Sequence, residues 1–126
     1  MSLTTPLKKV RGLGAAKSGT EHFWLQRVTA IANVPLILFA LWFIVSHLGA
    51  RRAEVVASLA NPFTAILMAA AMVSMLWHMK LGMQVIIEDY VQGHGAKIAA
   101  LLLNSFYVAL LGAAALYAIL KMSFGL

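Results

Sequence analysis

The chain has 126 residues and a mass of 13.6 kDa, with 62% hydrophobic and only 11% charged side chains and a formal charge of +6. Soluble domains carry about 25% charged residues, so this chain lacks the polar surface to cover a globule of its size. A soluble enzyme, a disordered tail and a nucleic-acid-binding module are excluded, and an integral membrane protein remains. The absence of cysteine removes disulfides, thiolate metal sites, iron–sulfur ligation and cysteine nucleophiles. The basic excess reads as cations at membrane edges rather than as a nucleic-acid surface.

Residues 1–25 are polar and basic, with Lys8, Lys9, Arg11 and Lys17 and no acid before Glu21. No apolar core leads to a cleavage site, so the segment reads as a mature cytoplasmic tail and not as a secretory signal. Ser18-Gly-Thr-Glu21 has the form of a capping box, which starts a helix near Gly19. The first membrane span is expected over residues 26–47, QRVTAIANVPLILFALWFIVSH, uncharged after Arg27. At 1.5 Å per residue it is about 33 Å long, enough to cross the hydrocarbon. Pro35 lies inside it and frees the carbonyl near Ile31, which should bend the helix.

Residues 48–61 read as a loop or a short interfacial helix. The second span is expected over 62–87 and carries His78 and Lys80. A polar turn, EDYVQGHGAK, precedes a third span over 98–120, where Gly112-Ala-Ala-Ala115 offers a small-residue surface for close helix packing. The whole is an all-α membrane protein, with a tail over 1–25 and three transmembrane helices within 26–122. Lys8, Lys9, Arg11, Lys17, Arg27 and Lys97 fall on one side, and Arg51, Arg52 and Lys121 on the other. The positive-inside bias then places the N-terminus and the EDYVQGHGAK turn in the cytoplasm and the C-terminus across the membrane.

An ionisable residue inside a span is costly and marks a functional position. His78 stands ten residues before Glu88, about 15 Å from the inner interface and near the bilayer centre. Its own helix face carries Ala71, Ser74 and Gly82, all small. Two readings fit. A flat macrocycle needs such a surface beside an imidazole that ligates its iron. Equally, a histidine bonded to a neighbouring helix needs small residues for packing. In the first case a second axial histidine has to come from another chain. His47 lies at the outer end of span one, His22 near the inner interface and His94 in the inner loop.

Lys80 is turned about 200° from His78 and is expected to reach toward the inner side. Arg27 and His22, near the inner start of span one, are either topology anchors or partners for haem propionates. Asp89 and Tyr90 follow span two. They are either ordinary interfacial residues or a phenol–carboxylate pair able to hydrogen-bond a quinone carbonyl and help supply its protons. Asn104, Ser105 and Tyr107 on span three read as interhelical contacts.

The stretch His78-Met-Lys-Leu-Gly82-Met-Gln-Val-Ile-Ile-Glu-Asp89-Tyr90 resembles the signature of the hydrophobic membrane-anchor subunit of succinate dehydrogenase, respiratory complex II. That pattern has a histidine, a glycine four residues on, and an Asp-Tyr pair eleven and twelve on. Ser18-Gly-Thr-Glu-His-Phe-Trp-Leu-Gln-Arg27-Val-Thr-Ala30 is similar to the same family's entry into span one, and the alphaproteobacterial branch is the nearest in character. The resemblance covers most of the chain from about residue 18.

The resemblance implies half of a heterodimeric anchor bundle in a bacterial inner membrane, paired with a second, different three-span anchor chain. It implies one b-type haem (haem b) between them, with His78 as an axial ligand to the haem iron and Arg27 near the propionates. It also implies a ubiquinone site beside the iron–sulfur subunit, with Tyr90 bonding the quinone and Asp89 beside it. Succinate oxidation would belong to the flavoprotein subunit. The pattern departs at Gln84, six residues after His78 where many relatives have glutamine seven after, and at His22, one residue later than a histidine found in some relatives. Two other readings compete: a haem-free anchor of a fumarate reductase, and a small proton-coupled transporter. The transporter would favour an intramembrane carboxylate, and none of the four acids falls within an expected span.

Overall fold

The computed structural model describes residues 5–7 and 19–126. Ser18 of the expected capping box, and most of the expected tail, lie outside those residues. Four helices follow one another: α1 Gly19–Ser46, α2 Arg52–Leu59, α3 Pro62–Tyr90 and α4 His94–Ser123. No strand occurs among the described residues. Helices α1, α3 and α4 are long and apolar enough to cross a membrane. At 28, 29 and 30 residues they measure about 42–45 Å, longer than the roughly 30 Å of hydrocarbon. Their ends therefore reach the interfaces or the helices tilt.

Local chemistry sets the helix ends. Helix α1 runs unbroken through Pro35 and closes in a turn where Gly49 takes φ +78°, a left-handed conformation that suits glycine. Residues 52–59 are a helix rather than a loop. At the start of α3 the Asn61 side chain accepts from the Phe63 N–H at 3.0 Å, with Pro62 in the first turn where its missing donor costs nothing. The polar turn after the second span is shorter than expected. Glu88, Asp89 and Tyr90 complete α3, and only Val91–Gly93 separate it from α4.

Helix α3 is the centre of the fold. It packs on α1 along one side and α4 along the other, and α1 and α4 do not pack on each other. Leu76 of α3 meets Gly112 of α4, where an added Cβ would come 3.6 Å from Leu76 Cδ1. One turn along, Asn104 Nδ2 donates to the Lys80 carbonyl at 3.0 Å, the interhelical bond expected of it. Few side chains are buried, and Leu38, Trp42, Phe63, Leu103, Phe106 and Leu110 are largely exposed. An apolar outer surface of this extent is what lipid tails and partner helices cover.

Candidate functional site

His78 lies twelve residues before the end of α3, about 18 Å along the axis. Its Nδ1 is 3.0 Å from Thr29 Oγ1 of α1. Nearby, Gly82 faces Gln26, with 3.8 Å between an added Cβ and Gln26 Nε2. These two pairings fix the antiparallel register of α1 against α3. That register sets a polar stripe, His22, Gln26, Thr29 and Asn33, against Ser74, His78 and Gly82. The stripe recurs at steps of four, three and four residues in the sequence. Sequence reasoning passed over Thr29, Gln26 and Asn33, although that periodicity in an otherwise apolar span was a readable signal.

The small face of α3 is thus largely taken by α1. Ala71 is fully buried, Ser74 Oγ is buried, and Gly82 lies under Gln26. Close packing of the two helices accounts for the small residues on that face. The imidazole itself keeps one nitrogen free: among the described residues Nε2 of His78 has no hydrogen-bond partner. Beside it a groove of about 420 Å³ is lined by His78 with Ala30, Asn33, Val34, Ile37 and Leu38. Asn33 is buried, and its Oδ1 is one of four buried side-chain polar atoms left unpaired among the described residues, with His22 Nε2, Gln26 Oε1 and Ser74 Oγ. Orphaned polar atoms inside a span are costly.

The other histidines are differently placed. His47 is fully engaged: Nδ1 is 2.8 Å from the Phe43 carbonyl, Nε2 is 2.7 Å from Ser58 Oγ, and the ring stacks on Phe43 at 4.3 Å. It ties the end of α1 to α2. His94 opens α4 and is exposed. Among the described residues no group of three or more His, Cys, Asp or Glu side chains could hold a metal ion.

Arg27 is exposed on α1, with its guanidinium carbon 5.1 Å from the Phe23 ring centroid and no ion pair among the described residues. It shares a helix face with Ala30 and Val34, three and seven residues on, both of which line the groove beside His78. Lys80 does not extend toward the end of α3. Its Nζ lies 5.2 Å from the ring centroid of Trp77, one turn back, because an apolar span offers a cation little better than a π face.

Asp89 and Tyr90 stand exposed at the end of α3, Tyr90 at 78%. No hydrogen bond joins them. The adjoining Glu88 accepts from Gln84 Nε2 at 2.8 Å through its carboxylate and from Lys97 Nζ at 2.8 Å through its carbonyl, which fixes the α3–α4 corner. Tyr90 and His78 are therefore separate features on one helix, about 18 Å apart along its axis.

Three apolar helices with a mid-span imidazole and an aromatic–acid pair at one end define a small helical subunit built to sit in a bilayer. Comparison with known proteins narrows the class. Residues 1–120 match the model of the succinate dehydrogenase/fumarate reductase transmembrane subunit, and the chain belongs to that family. It is similar to the succinate dehydrogenase hydrophobic membrane anchor subunit of Paracoccus denitrificans, 31% identical over 99% of this chain and 96% of the relative. The succinate dehydrogenase membrane anchor subunit of Reclinomonas americana is 37% identical over 69% of this chain and 75% of the relative. The hydrophobic membrane anchor subunit of Rickettsia bellii is 39% identical over 66% of each chain. No solved structure matches. The transporter reading gives way to that of a succinate dehydrogenase membrane anchor.

Proposed function

We propose that this chain is one half of the membrane anchor of a succinate:ubiquinone oxidoreductase in a bacterial inner membrane. A second, different three-span anchor chain supplies the other half. Through Nε2, His78 would hold the iron of a b-type haem shared between the two. The observation that carries this reading is an imidazole deep in a span whose Nε2 has no protein partner and whose ring borders a groove. Arg27, on the face that continues that groove, meets the propionates with a guanidinium that binds carboxylates bidentately. When bound, the haem supplies a one-electron store near the middle of the membrane.

Tyr90 and Asp89 form part of the ubiquinone site at the N-terminal side, which faces the cytoplasm. The Tyr90 hydroxyl donates to a quinone carbonyl. The Asp89 carboxylate, in contact with water, passes protons toward it, so that two electrons and two protons complete the quinol. The electrons come from clusters of the iron–sulfur subunit, and succinate is oxidised on the flavoprotein subunit. A haem-free anchor leaves the free Nε2 of His78 without a use, which favours the haem-bearing reading.

Purification of the native complex tests this. The expected preparation contains three partner polypeptides and one b-type haem per copy of this chain. A complex of the same subunits without haem would overturn the assignment of His78.

A further inference from the structure

We infer that Thr29 is a positioning residue that fixes the tautomer and donor strength of His78, an inference that rests on the haem reading above. Thr29 Oγ1 lies 2.7 Å from the Leu25 carbonyl, 3.2 Å from the Gln26 carbonyl and 3.0 Å from His78 Nδ1. A hydroxyl has one proton. The two carbonyl oxygens accept only, so the short 2.7 Å contact takes that proton. Otherwise two lone pairs would face each other at that distance inside an apolar span. The Thr29 oxygen then has only lone pairs to offer His78, and Nδ1 must carry the hydrogen. With its hydrogen on Nδ1, a neutral imidazole has its lone pair on Nε2, the nitrogen without a described partner.

The chain of bonds runs from Nδ1–H to Oγ1–H to the backbone of α1. Each link polarises the next. A metal-bound histidine that donates its other N–H is held in orientation and made a stronger donor. Here the acceptor is a neutral hydroxyl anchored to its own helix, rather than a carboxylate that a span would have to bury. No other described group bonds Nδ1. Ser74 Oγ, one turn away on α3, and Gln26 Oε1 on α1 are unpartnered, so neither substitutes for Thr29 in the resting arrangement. A stronger donor favours the ferric state, so this hydroxyl lowers the haem midpoint potential.

The test uses the whole complex, expressed with its partner chains, carrying Thr29→Val, Thr29→Ser or His78→Ala. Haem per flavin and the haem midpoint potential are measured by spectroscopic redox titration. Thr29→Val keeps the shape and removes the acceptor. It should weaken haem retention about tenfold and raise the midpoint potential, and Thr29→Ser should restore both. If Thr29→Val does not assemble, Thr29→Ala carries the same expected upward shift. Unchanged haem content and potential in the Val or Ala variant, with haem lost in His78→Ala, would overturn the role of Thr29 alone. Equal effects of Val and Ser would also overturn it, as a packing role. Haem retained in His78→Ala would overturn the haem reading itself.

Discussion

Gly82 of α3 lies directly beneath Gln26 of α1, with room for one methyl group: a Cβ there would meet Gln26 Nε2 at 3.8 Å, an ordinary contact. Glycine inside a helix costs about 1 kcal/mol relative to alanine. Gly82→Ala should therefore assemble normally and be neutral or slightly more heat-stable, read as the melting temperature of the purified complex. Gly82→Leu should push Gln26 away, separate Thr29 from His78 and lower haem content. Haem loss in the alanine variant would mean that the position is kept small for something outside this chain.

Asn104 joins α4 to α3 through the Lys80 carbonyl. Hydrogen bonds between membrane helices average about 0.6 kcal/mol, because the separated helices find other partners. Asn104→Leu, which keeps the branching and the number of side-chain heavy atoms, should lower stability by about that amount and leave the haem spectrum intact. A loss of several kcal/mol in a reversible denaturation measurement would contradict so modest a bond.

Tyr90 is mostly exposed within this chain, so removing its hydroxyl should leave the fold unaffected. Tyr90→Phe should slow succinate-driven quinone reduction about 5–10-fold, the worth of one hydrogen bond of about 1–1.4 kcal/mol. Reduction of an artificial dye by the flavoprotein and iron–sulfur subunits should be mostly intact. Equal loss of both activities would place the defect away from the quinone.

Among the described residues Arg27 makes no ion pair, and its guanidinium lies over the exposed Phe23 ring, a contact worth about 0.5–1 kcal/mol. Arg27→Gln should thus change stability little. Removing a cation beside the propionates should lower the haem midpoint potential, opposite in sign to Thr29→Val. Arg27→Lys should keep most of the native value, since charge rather than fork geometry sets a potential. An unchanged potential in Arg27→Gln would leave this residue as a topology anchor only.

Much of this architecture was legible in the sequence because membrane spans are local features. A run of about 20 apolar residues declares itself, and Asn61-Pro62 marks where α3 begins. The position of His78 on its span was equally plain. What lay opposite it was not. The small face around His78 accommodates either a macrocycle or a helix, and periodicity along α3 cannot tell which. Gln26 and Thr29, about fifty residues earlier in the chain, are what face it within this chain. The same limit applies to Lys80, expected to reach the inner interface and found over Trp77. It also explains Asp89 and Tyr90, assigned by polarity to a turn but held in α3, whose last turns Gln84 and Lys97 tie down through Glu88.

The central claim is that His78 holds iron, and the reduced-minus-oxidised optical spectrum of the assembled complex carrying His78→Ala tests it most directly. The account predicts that the b-haem bands weaken strongly or vanish while flavin content and succinate-dependent dye reduction persist. Bands of native position and intensity in that variant would contradict it.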